Sequence, residues 1–387
     1  MRKKSLYQLD ELIISNQPIF FTLRIITAYA VIAIISYIFN IPYGYWGIIT
    51  ASFVMTTNYS SLIWDKAKQR AIGTIGGAIT GVLISLLPHN SSAQYVITWV
   101  CFAIFAYFSI VGSYKYGGVI AAVTLTIIVF PNHNGLYVGL WRAFNIILGG
   151  LISVIVGMYI FPSKARVQFK ILFREFLKNS AILYYYDTFR VEKNELTTQK
   201  YMLMLNSFKK IQALQADMIV DGSLSPSELD SIIIGCNRIL NLISNQVLGF
   251  SKEVITLENS DLYLETLEYK KHIMHHLVGI YSSIKHNTPF DYEKSPIIHK
   301  KSLSREISYN VENESKYLNT YGYTWLIIEL HKHMMVFSHE YLKISKNKRF
   351  IDFDDKSTRF YAFMFFIIHK IQFFTHKSTD FLTKYIE

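Results

Sequence analysis

The sequence is poor in the residues that build cross-linked folds, metal centres and nucleotide sites. Its 387 residues include two cysteines, Cys101 and Cys236, which lie in different halves of the chain. Two isolated cysteines exclude a disulfide framework and a cysteine-based metal site. The chain also lacks the GxxxxGK[ST] phosphate-binding motif, so a nucleotide-driven pump is not expected. The sequence therefore predicts no metal, no cofactor and no enzyme activity.

The histidines add no catalytic pattern to this. His272 and His276 share a helix face at i, i+4, but the glutamate that a zinc protease carries after its first histidine is missing. We interpret these two histidines as part of a solvated helix face. His89 and His133 fall in loops between apolar runs. No catalytic residue is predicted.

Acidic residues are scarce in the first part of the chain. Up to Pro162 there are nine Lys or Arg residues against three acidic ones, and 30 basic and 25 acidic residues follow. A basic, apolar part thus precedes a heavily charged and nearly balanced one. The basic residues stand in short flanks between apolar runs, and the later charges mix signs along helices, so no nucleic-acid partner is predicted.

Long apolar runs fill the first part. A bilayer core of about 30 Å needs roughly 20 apolar residues in a helix. Four runs approach this length (19–39, 71–87, 95–111 and 143–161) and two are shorter (45–55 and 117–130). Loops of such apolarity would leave backbone groups unsatisfied in lipid, so all six are interpreted as spans. The fold class predicted is all-α, with a cytoplasmic N-terminal segment (1–18), a six-helix transmembrane domain (19–162) and a cytoplasmic helical bundle (163–387).

The loop charges predict the orientation, because cytoplasmic loops carry the excess of Lys and Arg. With the N-terminus inside, nearly all basic residues of this region fall on the cytoplasmic side: Arg2, Lys3, Lys4, Lys66, Lys68, Arg70, Lys115, Lys164, Arg166 and Lys170. No small-residue cleavage site follows the first run, so a removed signal peptide is not expected. The chain is predicted to cross the membrane several times with both termini cytoplasmic.

The second part has helical periodicity with clear punctuation, which predicts four to seven helices. Breaks are expected at Asp221-Gly222, at 223–227 with Pro226 in the next helix's first turn, at 287–289 and at 353–357. Apolar stripes predict core positions at Ile211, Leu214, Met218 and Ile219, and at Ile239, Leu240, Leu242, Ile243 and Val247. The run 360–374 is interpreted as a buried or membrane-surface helix rather than a seventh span.

The six apolar segments resemble two copies of three. Arg70-Ala71 precedes Gly76-Gly77 in the third segment, and Arg142-Ala143 precedes Gly149-Gly150 in the sixth. Because each copy has an odd number of spans, the second would be inverted in the membrane. Inverted repeats with short middle segments indicate a transport path near the bilayer midplane. Alternatively, the glycines serve close helix packing.

Buried arginines would mark the functional site. Arg24 and Arg142 lie within or at the start of apolar segments, where an arginine either faces a polar interior or extends to the headgroups. No acidic residue falls within the six runs, and a basic interior favours an anionic substrate. Trp46 suits either the membrane interface or stacking on an aromatic substrate, and threonine hydroxyls can bind a carboxylate or their own helix carbonyls. The predicted substrate-binding or pore residues are Arg24, Arg70, Arg142, Trp46, Thr50, Asn58 and Thr74.

The stretch from Tyr45-Trp46 to Arg70-Ala71-Ile72-Gly73-Thr74-Ile75-Gly76-Gly77 resembles the signature of the fusaric-acid-resistance and aromatic-acid-exporter family of bacterial inner-membrane proteins. The stretch from Trp141-Arg142 to Phe161-Pro162 is similar to the end of the membrane domain in that family and in plant aluminium-activated malate channels. The resemblance covers about residues 20 to 165.

This resemblance implies an exporter of small organic anions, with aromatic carboxylates as the expected substrates and Arg70 and Arg142 as the basic residues of the path. Two alternatives stay open: a passive anion channel of the malate-channel type, and a membrane-anchored scaffold that binds a partner through its cytoplasmic helices. The implied partners are the organic anion, membrane lipid and a second copy of the chain in a homodimer, with a periplasmic adaptor protein as a further candidate.

Overall fold

The computed structural model describes residues 10–57, 59–88, 91–130, 135–188, 195–249, 261–286, 288, 290, 314–347 and 350. Over these residues the chain is almost entirely α-helical and has no strand. They form two compact units, one ending at Lys164 and one beginning at Ala165.

The first unit contains six helices after a short helical stretch at 10–15. They are α1 (Gln17–Ile38), α2 (Tyr45–Val54), α3 (Ser60–Ser85), α4 (Ser92–Ile110), α5 (Lys115–Val129) and α6 (Gly135–Tyr159). Three apolar segments are long enough to cross a membrane: Gln17–Ile38, Ser92–Ile110 and Tyr137–Tyr159. α2 and α5 are apolar but have only 10 and 15 residues. α3 has 26 residues, but charged side chains occupy its first turns.

Two helices begin before the apolar runs that were interpreted as spans. α3 begins at Ser60 instead of 71, and α6 begins at Gly135 instead of 143. Asp65 and Arg70 therefore lie inside α3, although we expected them in or next to a loop. Hydropathy located the apolar part of each helix only, whereas the polar residues of α3 continue the same helix, where Gln69 Nε2 donates to Asp65 Oδ2 at 2.9 Å.

Glycines allow the helices of the first unit to approach closely. A Cβ on Gly149 of α6 would lie 2.5 Å from the carbonyl oxygen of Gly47 in α2, and Gly73 of α3 would meet the backbone of Gly117 in α5 in the same way. At these two positions the interpretation as close helix packing is confirmed. Further along, Gly77 approaches Ala121, so the contacts advance in the same direction along α3 and α5, and the two helices run parallel.

The helix pairings of this unit follow a regular pattern. Exchanging α1, α2 and α3 with α4, α5 and α6 converts each main pairing into another observed pairing. The pair α3–α5 becomes α6–α2, α1–α2 becomes α4–α5, α1–α6 becomes α4–α3, and α2–α3 becomes α5–α6, whereas α3–α6 maps onto itself. In that central pair Ile63 contacts Gly157 and Ala67 contacts Gly150, so α3 and α6 are antiparallel.

The second unit contains six helices among its described residues. They are α7 (Ala165–Thr188), α8 (Glu195–Ala213), α9 (Gln215–Asp221), α10 (Pro226–Gly249), α11 (Asp261–His286) and α12 (Glu314–Ser345). The predicted break at 221–227 is confirmed in detail. Gly222 has a positive φ of 65° and ends α9. Ser225 and Glu228 form a reciprocal capping box, in which Glu228 accepts from the Ser225 backbone N–H at 2.8 Å.

Most predicted core stripes are confirmed. Ile211, Leu214 and Met218 are buried, and so are Ile239, Leu240, Ile243 and Val247. Leu242 is half-buried. The prediction that Ile219 is a core residue is wrong, because its side chain is 45% exposed. α9 has only seven residues and rests on its neighbours through one side, which Met218 occupies, so the adjacent position faces outward.

The prediction of a solvated face for His272 and His276 is also wrong. Both side chains are buried between α11 and α12, where His272 contacts His331 and His276 contacts Ser338. The i, i+4 spacing identified a shared face correctly, but it could not reveal that α12 covers this face.

Several predictions lie outside the described residues. These concern Asn58, His89, His133, Asn287, Pro289, the polar residues 132–134, the break at 353–357 and the run 360–374.

Candidate functional site

The three predicted arginines of the first unit are all buried. Arg24, Arg70 and Arg142 are 1%, 3% and 2% exposed, respectively. Their heads are therefore enclosed by the helices, and the alternative in which Arg24 or Arg142 extends to lipid headgroups does not describe this structure. Desolvating a guanidinium group costs several kcal/mol unless polar or aromatic groups surround it, so the neighbours of each arginine are informative.

Arg142 lies against the face of an indole ring. It is the eighth residue of α6, and its Cζ lies 4.1 Å from the ring centroid of Trp46, the second residue of α2. The electron-rich face of the indole attracts the cation. Among the described residues, Nε and Nη1 of Arg142 and Nε1 of Trp46 have no hydrogen-bond partner. This pair of side chains therefore presents several unused N–H donors inside the unit.

Arg70 has a corresponding environment on α3. Its Nη1 donates to the hydroxyl of Tyr116, the second residue of α5, at 2.7 Å. Its Cζ lies 5.2 Å from the ring centroid of Phe53 on α2. Nε of Arg70 has no partner in the described part of the chain. Each of the two arginines thus contacts the aromatic second residue of a short helix.

The two arginines share one region, with α2 between them. Their charges interact electrostatically. The residues of α2 that touch them, Trp46 and Phe53, are seven positions apart, which corresponds to about 10 Å of helical rise. Neither arginine forms an ion pair with a described carboxylate. Asp65, the acidic residue of α3, is exposed and accepts from Gln69 instead.

The two predicted threonines differ in their hydrogen bonds. The hydroxyl of Thr50 donates to the Trp46 carbonyl of its own helix at 2.8 Å, which is the ordinary role of a helical threonine. Thr74 lies one turn after Arg70, is fully buried, and its hydroxyl has no partner among the described residues. Thr74 is therefore the threonine with a free hydroxyl near the arginines.

Sequence reasoning missed Asn145, which lies three positions after Arg142 on the same helix. Asn145 is fully buried, and its Nδ2 donates to the carbonyls of Pro42 and Trp141 at 2.9 and 2.8 Å. These bonds fix the start of α2, and hence Trp46, relative to α6. The sequence did contain a signal for Asn145, because it is a polar residue inside the apolar run 143–161. Tyr116 and Phe53 were missed as arginine contacts because their partners lie on other helices.

Arg24 contacts the segment that follows α2. Its Nη2 lies 3.5 Å from the carbonyl oxygen of Thr57, after the end of α2, whereas Arg142 contacts the start of that helix. Arg24 also lies 5.3 Å from the ring of Phe21. The structure therefore places Arg142 at the start of α2, and Arg70 and Arg24 near its end through Phe53 and Thr57, with Thr50 on α2 and Thr74 on α3. Asn58 is outside the described residues.

The chemistry available at this cluster is hydrogen bonding and charge. No group of three or more His, Cys, Asp or Glu residues in the described ranges is arranged to hold a metal ion. Two buried cations with unused N–H groups favour a bound anion, since an anion would both accept the hydrogen bonds and neutralise the charge. The indole and phenyl faces beside them suit a planar, apolar group.

Apolar helices of spanning length are typical of a helical membrane protein. Residues 29–156 match the family model described as fusaric acid resistance protein-like, so the resemblance to that family is confirmed over this part of the chain. The chain is also 28% identical over 150 residues to inner membrane protein YeeA of Escherichia coli (strain K12). That alignment covers 38% of this chain and 42% of the relative, so the match spans less than half of the curated protein.

Proposed function

We propose that this protein is a membrane transporter that exports small organic anions, with aromatic carboxylates as its preferred substrates. The observation that carries the proposal is the Arg142–Trp46 pair, in which a buried guanidinium group lies 4.1 Å from an indole ring and keeps two nitrogens without partners in the described structure. The fusaric acid resistance protein-like match over the same helices supports transport.

The two parts of an aromatic carboxylate would use different features of the cluster. The carboxylate oxygens would accept from Nε and Nη1 of Arg142, and Nε of Arg70 would lie further along the path. The aromatic ring would pack on apolar and aromatic side chains of α2. Because charge-assisted hydrogen bonds in a desolvated site are strong, a few such contacts are enough to bind a small anion.

We further propose that all six helices of the first unit cross the inner membrane as two inverted triplets, with both termini cytoplasmic. The exchange symmetry of the pairings supports this arrangement, as do the parallel α3–α5 pair and the antiparallel α3–α6 pair, because alternating spans require those directions. A second copy of the chain, and a periplasmic adaptor protein, are the partners proposed for the assembled transporter.

The test is Arg142→Gln in the full-length protein, reconstituted in lipid vesicles loaded with labelled benzoate or hydroxybenzoate. Glutamine keeps hydrogen-bonding groups but removes the charge. Losing charge-assisted hydrogen bonds is expected to reduce the initial efflux rate by about tenfold or more. Lys68→Gln is the matched control, because Lys68 is exposed and two positions from Arg70.

The outcomes separate the candidate functions. Efflux that depends on an imposed pH gradient or membrane potential and is lost in Arg142→Gln supports the transporter. Anion current without a coupling ion would favour the passive channel instead. Equal efflux from wild-type protein, Arg142→Gln and empty vesicles would reject both, and would leave a membrane-anchored scaffold as the alternative to examine.

A further inference from the structure

Three imidazoles form a continuous hydrogen-bonded chain between α11 and α12. Nδ1 of His272 lies 2.9 Å from Nε2 of His331, and Nε2 of His272 lies 3.3 Å from Nε2 of His276. Nδ1 of His276 lies 2.8 Å from the hydroxyl of Ser338. His272 and His276 belong to α11, whereas His331 and Ser338 belong to α12. Two of the three links therefore hold the helices together.

This chain has a limited capacity for protons. A neutral imidazole carries one N–H and one acceptor nitrogen, so three neutral rings can satisfy both ring-to-ring links in a single direction. One additional proton is tolerated, because the hydrogen bonds can all point away from the charged ring. A second additional proton would make two N–H groups face each other across one of the links. The geometry alone therefore sets an upper limit of one extra proton for the intact chain.

The surroundings offer little hydration for a charged ring. His276 is fully buried, and its ring lies 5.8 Å from that of Phe290; the ring of His331 lies 4.8 Å from that of Tyr269. From α7 and α10, which also pack on these helices, Phe173 contacts Phe337 and Gly235 faces the same ring. Burying a charged ring away from water is unfavourable, so the neutral chain is the form that matches this environment.

The titratable and charged groups around the chain come from all four helices. Among the described residues they include His275, Lys270 with Tyr323, the exposed pair Lys271–Glu268, Glu329 with Lys332 and His333, Tyr341 with Ser283, Cys236 of α10, and Lys170 of α7, which lies beside Phe350. Glu329 is engaged by Lys332 and His333 on the other side of α12.

We propose that the His272–His276–His331 chain makes the contact between α11 and α12 proton-sensitive, so that acidification of the compartment facing this unit opens these two helices locally. The proposal is independent of the anion site in the first unit. It assigns a regulatory role to the second unit, for which no motif suggested a function.

The direction of the effect follows from the pKa values. Burial, and then the neighbouring histidines, lowers the pKa of His276 to about 4; burial and His272 lower that of His331 to about 4. A histidine in an opened, hydrated form titrates near 6.5. Between those values the opened form binds more protons than the closed form, so falling pH favours opening and neutral pH favours the closed pair.

Hydrogen–deuterium exchange of the full-length protein in lipid nanodiscs tests this at about pH 7.5 and about pH 5, after correction for intrinsic exchange rates. Peptides from α11 and α12 should exchange roughly tenfold faster at the lower pH, because at least one buried histidine gains a proton on opening. Peptides from α8 should change by less than about twofold, since α8 contributes none of these histidines.

His331→Gln removes one of the two histidines whose pKa is lowered to about 4 and keeps hydrogen-bonding capacity, so the acid response should be smaller than that of the wild type by roughly threefold or more. His286→Gln, at the exposed end of α11, should respond like the wild type. An unchanged response in His331→Gln would overturn the proposal. If that variant fails to fold, the wild-type protein alone tests the proposal. Acid-induced exchange that is equal across α8, α11 and α12 would overturn it, and so would the absence of any acid-induced change in α11 and α12.

Discussion

At the scale of single residues, Arg70 and Arg142 are held by aromatic side chains instead of carboxylates. A carboxylate would neutralise the guanidinium charge and occupy its N–H groups. An aromatic face attracts the cation by about 0.5–2 kcal/mol and leaves the in-plane donors available. The Trp46 contact of Arg142 and the Phe53 contact of Arg70 therefore keep the positive charge buried without cancelling it. An anion that arrives at the cluster meets charge that no described carboxylate has already compensated.

The hydrogen bond between Arg70 and Tyr116 can be tested by removing a single oxygen atom. Tyr116→Phe keeps the ring but removes the oxygen that accepts from Arg70 Nη1 at 2.7 Å. Hydrogen bonds to charged groups contribute about 1.5–3 kcal/mol, so the purified protein should lose about that much stability and melt at a lower temperature. Tyr114→Phe, at an exposed neighbour, should change stability by less than about 0.5 kcal/mol. Equal melting temperatures for the two variants would contradict the assigned bond.

At the scale of helices, close backbone contact makes particular glycines irreplaceable. A Cβ on Gly149 would lie 2.5 Å from the Gly47 carbonyl oxygen, whereas a Cβ on the adjacent Gly150 would meet only Ala67 at 4.0 Å. Gly149→Ala must therefore push α2 away from α6, at a cost of about 1–3 kcal/mol. Gly150→Ala should be neutral or stabilising by up to about 1 kcal/mol, because alanine favours helix.

Thermal unfolding of both glycine variants in one detergent measures the difference. Displacement of α2 should also separate Trp46 from Arg142, so Gly149→Ala should lose transport along with stability. If Gly150→Ala proved the more damaging of the two, the packing of α2 on α6 would have to be revised.

The helices could be predicted where apolarity and turn residues coincide, as at Asn40 to Pro42 before α2 and at Gly112 before α5. The start of α3 could not, because Asp65, Lys66 and Lys68 are compatible with a helix but not with an apolar run. The arginines were identifiable from their unusual positions. Their neighbours were not, since the residues in the Arg142–Trp46 and His272–His331 pairs are far apart in sequence and meet only through helix packing.

At the scale of the whole molecule, the number of spans decides which side of the membrane the second unit faces. Six crossings place the N-terminus and the second unit on one side. If only the three helices of spanning length and composition crossed, the two would lie on opposite sides. Exposed positions that differ between these arrangements therefore distinguish them, and Lys178 on α7 is such a position.

Single-cysteine labelling can make this distinction, because replacing Cys101 and Cys236 with serine removes both native thiols. Cysteines would be introduced one at a time at Asn40, Ser113 and Lys178, which are exposed. With six spans, a membrane-impermeant maleimide on intact cells should label position 40 alone, and positions 113 and 178 only after permeabilisation. Three spans would expose position 178 to the reagent in intact cells while position 113 stayed protected. Labelling at 178 would therefore reject the inverted triplets, because two triplets of alternating spans must return the chain to the side on which it began.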